Sequence, residues 1–164
     1  MLLIKSLALA SLISLFTLMF IGGYVSASGV GLTCPKWPLC PSGLIPMNEF
    51  IIEYFHRKIA VITASLVIAT TVFTLKSRIS TNGTKIASII ASFAAIGQIT
   101  LGAFVIVERL HAVLVTVHLA LGLILLSMII ILNLSIFKPY YENRSTSTST
   151  TDDMEKKSTK SRLI

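Results

Sequence analysis

The stretch "IIEYFHRKIA" at residues 51–60 gathers Glu53, His56 and Arg57, and a further histidine, His118, lies within "LVTVHLALGLILL". Both stretches sit in strongly apolar surroundings. There a charged side chain at bilayer depth costs roughly 2.5–3.5 kcal/mol on insertion scales, so these groups need a chemical or structural reason. The two imidazoles stand at comparable depth in their segments, roughly 10 Å below the outer ends at 1.5 Å rise per residue. Two imidazoles at one depth on two helices suit the axial positions of a haem iron, and His56 and His118 are the candidate ligands. Gly122 follows His118 by one turn on the same face, where a flat ring can approach the backbone. Each histidine has an alternative use as a hydrogen-bonding group between helices.

Glu53 precedes His56 by three residues, so the two share a helix face. A carboxyl in that position serves as an acid, a base or a stabiliser of developing positive charge. Arg57 is suited to pairing with a carboxylate such as a haem propionate. Arg57 and Lys58 also have a plainer use, extending to the outer headgroups, and that is the reading adopted for Lys58. His111 reads as an interfacial residue near the site entrance. In "GQITLGAFV", Gly97, Gln98, Thr100 and Gly102 read as close helix packing with a hydrogen bond between helices, with a cofactor-facing Gln98 as the alternative.

These residues must be held by helices. Of the 164 residues, 54% are hydrophobic and only 13% charged, which excludes an ordinary soluble domain. Segments near Leu7–Val25, Phe50–Leu75, Ile86–Val107 and Val113–Ile136 are long enough to cross a bilayer, which takes about 20 residues each. The expected fold is therefore an all-α integral membrane protein, a four-transmembrane-helix bundle over 1–139. The net charge of +7 is not a nucleic-acid footprint, because the basic residues cluster between apolar segments and in the tail. Lys5, Lys76, Arg78, Lys85 and Lys138 fall on one side, which places both termini in the cytoplasm and the 28–49 loop outside the cell membrane. A rival reading makes the first segment a signal peptide cleaved after "VSA". Residues 140–164, rich in Ser and Thr, read as a disordered cytoplasmic tail with too little apolar surface to fold.

The outer loop "SASGVGLTCPKWPLCPSGLIP" contains both cysteines, Cys34 and Cys40. Their spacing is not Cys-x-x-Cys, and no loop histidine completes a zinc site. An extracytoplasmic loop permits a disulfide, as a structural staple or as a redox-active pair.

The loop "SGVGLTCPKWPLC", with "IEYFHR", "GQITLGAFV" and "LVTVHLALGLILL", resembles the heme A synthase family across residues 22–126. The resemblance implies an oxidoreductase that converts the C8 methyl of heme O to a formyl group, making heme A for terminal oxidases. It makes His56 and His118 haem ligands, with heme b as cofactor, heme O as substrate, or both. It gives Glu53 the acidic role at the reacting methyl, and makes Cys34 and Cys40 the outer-loop pair, often disulfide-bonded. It also favours keeping the first segment as a helix. Usual members have two such four-helix halves, so this chain resembles the compact members and is expected to form a homodimer or higher homo-oligomer. Heme O synthase and terminal oxidase assembly are the further partners implied, alongside membrane lipid. Where many members have an Arg before the Cys loop, this chain has Ser26, which leaves Arg57 or Lys36 to hold a propionate. The rival functions are a bis-His b-type electron carrier, a haem-delivery assembly factor and a quinone-linked thiol oxidoreductase.

The orientation is testable at the Asn82 sequon, which lies on the cytoplasmic side in this topology. Expressed into microsomes competent for N-glycosylation, the chain is expected to remain unmodified at Asn82. A glycan there would invert the topology.

Overall fold

The structure is a computed structural model that describes residues 2–32, 51–78 and 80–161, with side chains as far as Phe137. Cys34 and Cys40, with the rest of the loop between 33 and 50, lie outside the described residues, as does the question of their pairing. The described residues form α1 (Leu2–Ala27), a short 3-10 turn (Val30–Leu32), α2 (Ile51–Lys76), α3 (Asn82–Val107) and α4 (Ala112–Ser161). Four stretches of 26 residues, Leu2–Ala27, Ile51–Lys76, Asn82–Val107 and Ala112–Phe137, are long and apolar enough to span a membrane. At 1.5 Å per residue each is about 39 Å long, so its ends project beyond a hydrocarbon core of ~30 Å or the helix tilts.

The apolar runs locate the helices, but the ends shift for local reasons. The α3 helix begins four residues before Ile86 because Thr81 caps it: the Thr81 hydroxyl accepts from the Thr84 amide at 3.2 Å. That cap admits Gly83 and Lys85 into the first turn although neither belongs to the apolar run. At the other end of α3, Arg109 and Leu110 adopt positive φ of 50° and 62°, a left-handed reversal that starts α4 at once. The backbone of α4 continues as helix past the membrane-length stretch to Ser161, through the Ser/Thr-rich segment that composition reads as unfolded.

Each helix packs on two neighbours: α1 on α2 and α4, and α3 on α2 and α4. Contacts between residues far apart in sequence show that neighbours run antiparallel. Ser11 near the start of α1 meets Thr70 late in α2 at 3.1 Å, and Asn133 late in α4 donates to the Ala8 carbonyl at 3.1 Å. The first residues of α1 and the exit of the α4 span therefore share one end, where the Lys5 ammonium lies 5.3 Å from the centre of the Phe137 ring. The last turn of α1, the first of α2, the last of α3 and the first of α4 share the other end.

The core is narrow and built largely from small side chains. Leu15, Ala64, Val67, Ala91, Ala94, Ala95, Leu125 and Ile129 are buried together, while Phe16, Phe20, Phe93, Ile86 and Leu134 face outward. Lipid is as apolar as leucine, so burying large apolar groups gains little; close backbone approach and hydroxyl hydrogen bonds hold the helices instead. Ser14 bonds Thr63 at 2.7 Å across α1 and α2. The Thr71 hydroxyl of α2 donates to the Ser88 carbonyl and accepts from the Ser92 hydroxyl of α3, both at 2.8 Å. The α1 helix is part of this core through Ala8, Ser11 and Leu15.

Thr71→Val keeps the shape and removes both bonds to α3. Hydrogen bonds between membrane helices average about 0.6 kcal/mol with a maximum near 1.7, so the variant should lose on the order of 1 kcal/mol. Reversible SDS unfolding in mixed micelles measures it; a stability equal to wild type would remove Thr71 as the α2–α3 fastening.

Candidate functional site

At the end opposite Lys5, α2 and α4 are diagonal to one another, and each brings one histidine. His56 stands five residues after Ile51, the first of α2, and His118 six residues after Ala112, the first of α4. Both are thus about 8–9 Å along their helices. His56 is within electrostatic range of His118 and of Arg57.

Each ring is seated on a glycine of a flanking helix. A Cβ placed on Gly22 of α1 would lie 2.9 Å from His56 Cε1, a separation that the ring must move to relieve. A Cβ on Gly102 of α3 would lie 3.4 Å from His118 Cε1, which is ordinary contact. The antiparallel pairing supplies these seats: Gly22 is five residues from the end of α1, Gly102 five from the end of α3. Sequence reading marks Gly102 for close helix packing but not as a seat for His118, and passes over Gly22. The signal is present, since each glycine stands about as far from its helix end as the facing histidine stands from its helix start.

The Nδ1 atoms of both rings are buried and have no hydrogen-bond partner among the described residues. A buried polar atom without a partner is unfavourable, so this pattern suits rings that are to be bound by something else. Two imidazoles from opposite helices would suit the iron of a haem, and the residues present fit that group.

Glu53 lies one turn nearer the helix start and is only 3% exposed, with its Oε1 engaged by the Arg57 guanidinium across one turn of α2. Arg57, suited by sequence to a haem propionate or to the outer headgroups, is joined to Glu53 in the structure, at 13% side-chain exposure. Their spacing of four residues on one helix brings them together. Lys58 is exposed, its ammonium 5.3 Å from the Tyr54 ring centre, and His111 is exposed in the turn before α4.

Gly122 does not hold open a groove for a ring. The Gln98 amide fills it, with Nε2 2.8 Å from where a Cβ of Gly122 would be. The close packing expected of "GQITLGAFV" is thus observed, and Gly97 likewise faces Leu121. The accompanying interhelix hydrogen bond is not observed at Gln98 Oε1, which is buried without a partner, and Thr100 is exposed and bonds back to the Ile96 carbonyl. Leu110, from the left-handed turn, rests on Gly31 and so secures the 3-10 segment over this end of the bundle.

Residues 48–162 match the model of the COX15-CtaA family, described as cytochrome oxidase assembly protein. The chain belongs to this family. Within it, the chain is 28% identical over 147 residues to the heme A synthase of Bacillus licheniformis, covering 88% of this chain and 49% of that relative. It is 30% identical over 141 residues to that of Exiguobacterium sibiricum, covering 82% and 48%, and 24% identical over 139 residues to that of Lysinibacillus sphaericus, covering 82% and 45%. The chain spans about half the length of the curated relatives it matches. The family match includes α2, α3 and the membrane stretch of α4, and with them both histidines, Glu53, Arg57 and Gln98.

The two seats differ in tightness, which sets an order of effects. Gly22→Ala must displace the His56 ring, whereas Gly102→Ala meets His118 at ordinary contact distance. Overpacking of this kind costs about 1–3 kcal/mol. Thermal unfolding in detergent should show Gly22→Ala as the more damaging; the reverse order would mean that His56 does not rest on α1.

Proposed function

We propose that this chain oxidises the C8 methyl of heme O to a formyl group, as a heme A synthase. The observation that carries the reading is the convergence of His56 and His118 from opposite helices, each seated on a glycine and each with an unpartnered buried Nδ1. The names and similarity of the relatives support it. His56 and His118 would hold a haem through its iron, which supplies electron transfer when bound. Whether as heme b or as the substrate heme O, the group occupies the same pair of ligands in this reading.

The chain's own groups then have separate tasks. The glycine seats let the imidazoles enter between helices without spreading the bundle, which fixes their direction. Glu53 supplies a buried negative charge one turn from His56, suited to stabilising positive charge at the reacting carbon or taking up its proton. Arg57 positions that carboxylate through the ion pair on α2. The surrounding apolar helices exclude bulk water, which strengthens each of these interactions.

The proposal extends to sidedness and assembly. Lys5, Lys76, Arg78 and Lys85 gather at the end remote from the histidines, which supports a cytoplasmic location for that end and an extracytoplasmic haem site. A homodimer or higher homo-oligomer is the proposed working form, in which two such bundles would supply two four-helix halves. Residues 1–139 are the proposed haem domain and 140–164 a separate cytoplasmic extension, with Cys34 and Cys40 proposed as a disulfide in the outer loop. Heme O synthase and the terminal oxidase under assembly are the proposed partners on either side of the reaction.

One observation favours a second reading. Glu53 is engaged by Arg57, as it would be in a bis-His electron carrier that performs no oxidation. Co-expression with a heme O synthase, in a host that makes no heme A, separates the two when extracted pigments are resolved by chromatography. Wild type should yield heme A, His56→Ala and His118→Ala should lower total haem, and Glu53→Ala should retain haem while yielding no heme A. Wild-type protein that carries haem but yields no heme A would leave the carrier reading in place.

A further inference from the structure

Gln98 packs its amide nitrogen side on Gly122, but its Oε1 is used neither by helix packing nor by iron ligation. It stands four residues before Gly102, the seat of His118, and its partner Gly122 stands four residues after His118. Because α3 and α4 are antiparallel, the Gln98–Gly122 contact lies one turn, about 5.4 Å, further into the bundle than the His118–Gly102 contact. The amide is confined there: with Nε2 2.8 Å from the position of a Gly122 Cβ, no larger residue than glycine leaves it room. Its Oε1 is buried and has no hydrogen-bond partner among the described residues. Neighbouring Gly97, Leu121 and Leu125 offer no side-chain donor. A buried amide held in position with one pole unsatisfied is unfavourable for the bundle alone, and a ligand group that supplies the missing bond removes the penalty.

Resting on the heme O reading above, we propose that Gln98 is the specificity-determining residue that hydrogen-bonds the hydroxyl of the heme O side chain. Heme O differs from heme B by a hydroxyethylfarnesyl group where heme B has a vinyl. The hydroxyl is on the carbon attached to the macrocycle, so it is the one polar group on an otherwise apolar edge. It donates to the amide oxygen, and since a hydroxyl both donates and accepts, it satisfies the amide in either rotation about its terminal bond. Heme B brings no such group to that edge and leaves the amide unsatisfied. Sites built around a hydroxyl reject analogues that lack it for this reason, whereas a purely apolar pocket discriminates weakly. A glutamine one turn beyond a haem ligand therefore selects the farnesylated substrate over the more general haem.

The test uses the full chain, haem-depleted in lipid nanodiscs and titrated separately with heme O and heme B, following the Soret band. The farnesyl chain strengthens heme O binding in every variant, so the readout is the change in the heme O to heme B affinity ratio. Gln98→Leu, similar in size but without the amide, should reduce that ratio by roughly ten-fold, the scale of one buried hydrogen bond. The low-spin spectrum of two axial imidazoles should be unchanged. Gly122→Ala leaves Gln98 in the sequence but removes its seat, and should lower the ratio in the same direction; it decides the matter if Gln98→Leu does not fold. A ratio equal to wild type in the variants that fold overturns the role of Gln98 while leaving the haem reading intact. Wild-type protein that binds neither haem overturns the haem reading itself.

Discussion

Two imidazoles have to enter between the helices of a four-helix bundle, and each does so opposite a glycine of the facing helix, tightly for His56 and at ordinary contact distance for His118. Gly22 and Gly102 meet that constraint, one on each helix that flanks the diagonal pair α2 and α4. Much else follows from it. The helices must be antiparallel neighbours, so that a glycine near the end of one faces a histidine near the start of the next. They must also stay close, which fits a core in which alanine, serine and threonine accompany a few larger residues such as Leu15, Leu125 and Ile129. Large apolar side chains are on the outside, where lipid solvates them at no loss.

The bundle is thereby divided along its length. At the end with Lys5, Lys76 and Arg78, hydroxyls and one amide fasten helix to helix: Ser11 to Thr70, Thr71 to Ser88 and Ser92, Asn133 to the Ala8 backbone. At the histidine end His56 Nδ1, His118 Nδ1 and Gln98 Oε1 are buried with no partner among the described residues, and at the other end Thr74 Oγ1 and Asn133 Oδ1 are as well. The hydroxyl bonds between helices hold the register at the Lys5 end. Glu53 and Arg57 neutralise each other locally while remaining beside His56. An ion pair across one turn lowers the cost of keeping a carboxylate at the mouth of a membrane helix.

The α3–α4 reversal contributes more than a connection. Arg109 and Leu110 adopt left-handed backbone conformations without being glycine, and Leu110 uses the resulting direction to pack on Gly31. The contact ties the 3-10 turn Val30–Leu32 to the reversal between α3 and α4.

Four spans, their approximate limits and the common depth of His56 and His118 were legible in the sequence, because hydrophobic length and helical rise are local properties of a chain in a membrane. The Cys-Pro-x-Trp-Pro-x-Cys and Glu-x-x-His-Arg patterns likewise carried the family, which the match over residues 48–162 bears out. Helix ends were less legible, since a cap such as Thr81 extends a helix through residues outside the apolar run. Pairings between helices were decided only by the tertiary structure. Gly122 and Gln98 each read as facing a ring or a neighbour, but their mutual contact depends on the rotation of α3 against α4. Arg57 reads as a propionate partner, and in the structure its guanidinium engages Glu53 one turn away on the same helix. Periodicity and spacing determine how deep a residue lies along its helix; which side chain it meets there is set by the angles between helices, and these arise from all four packing at once.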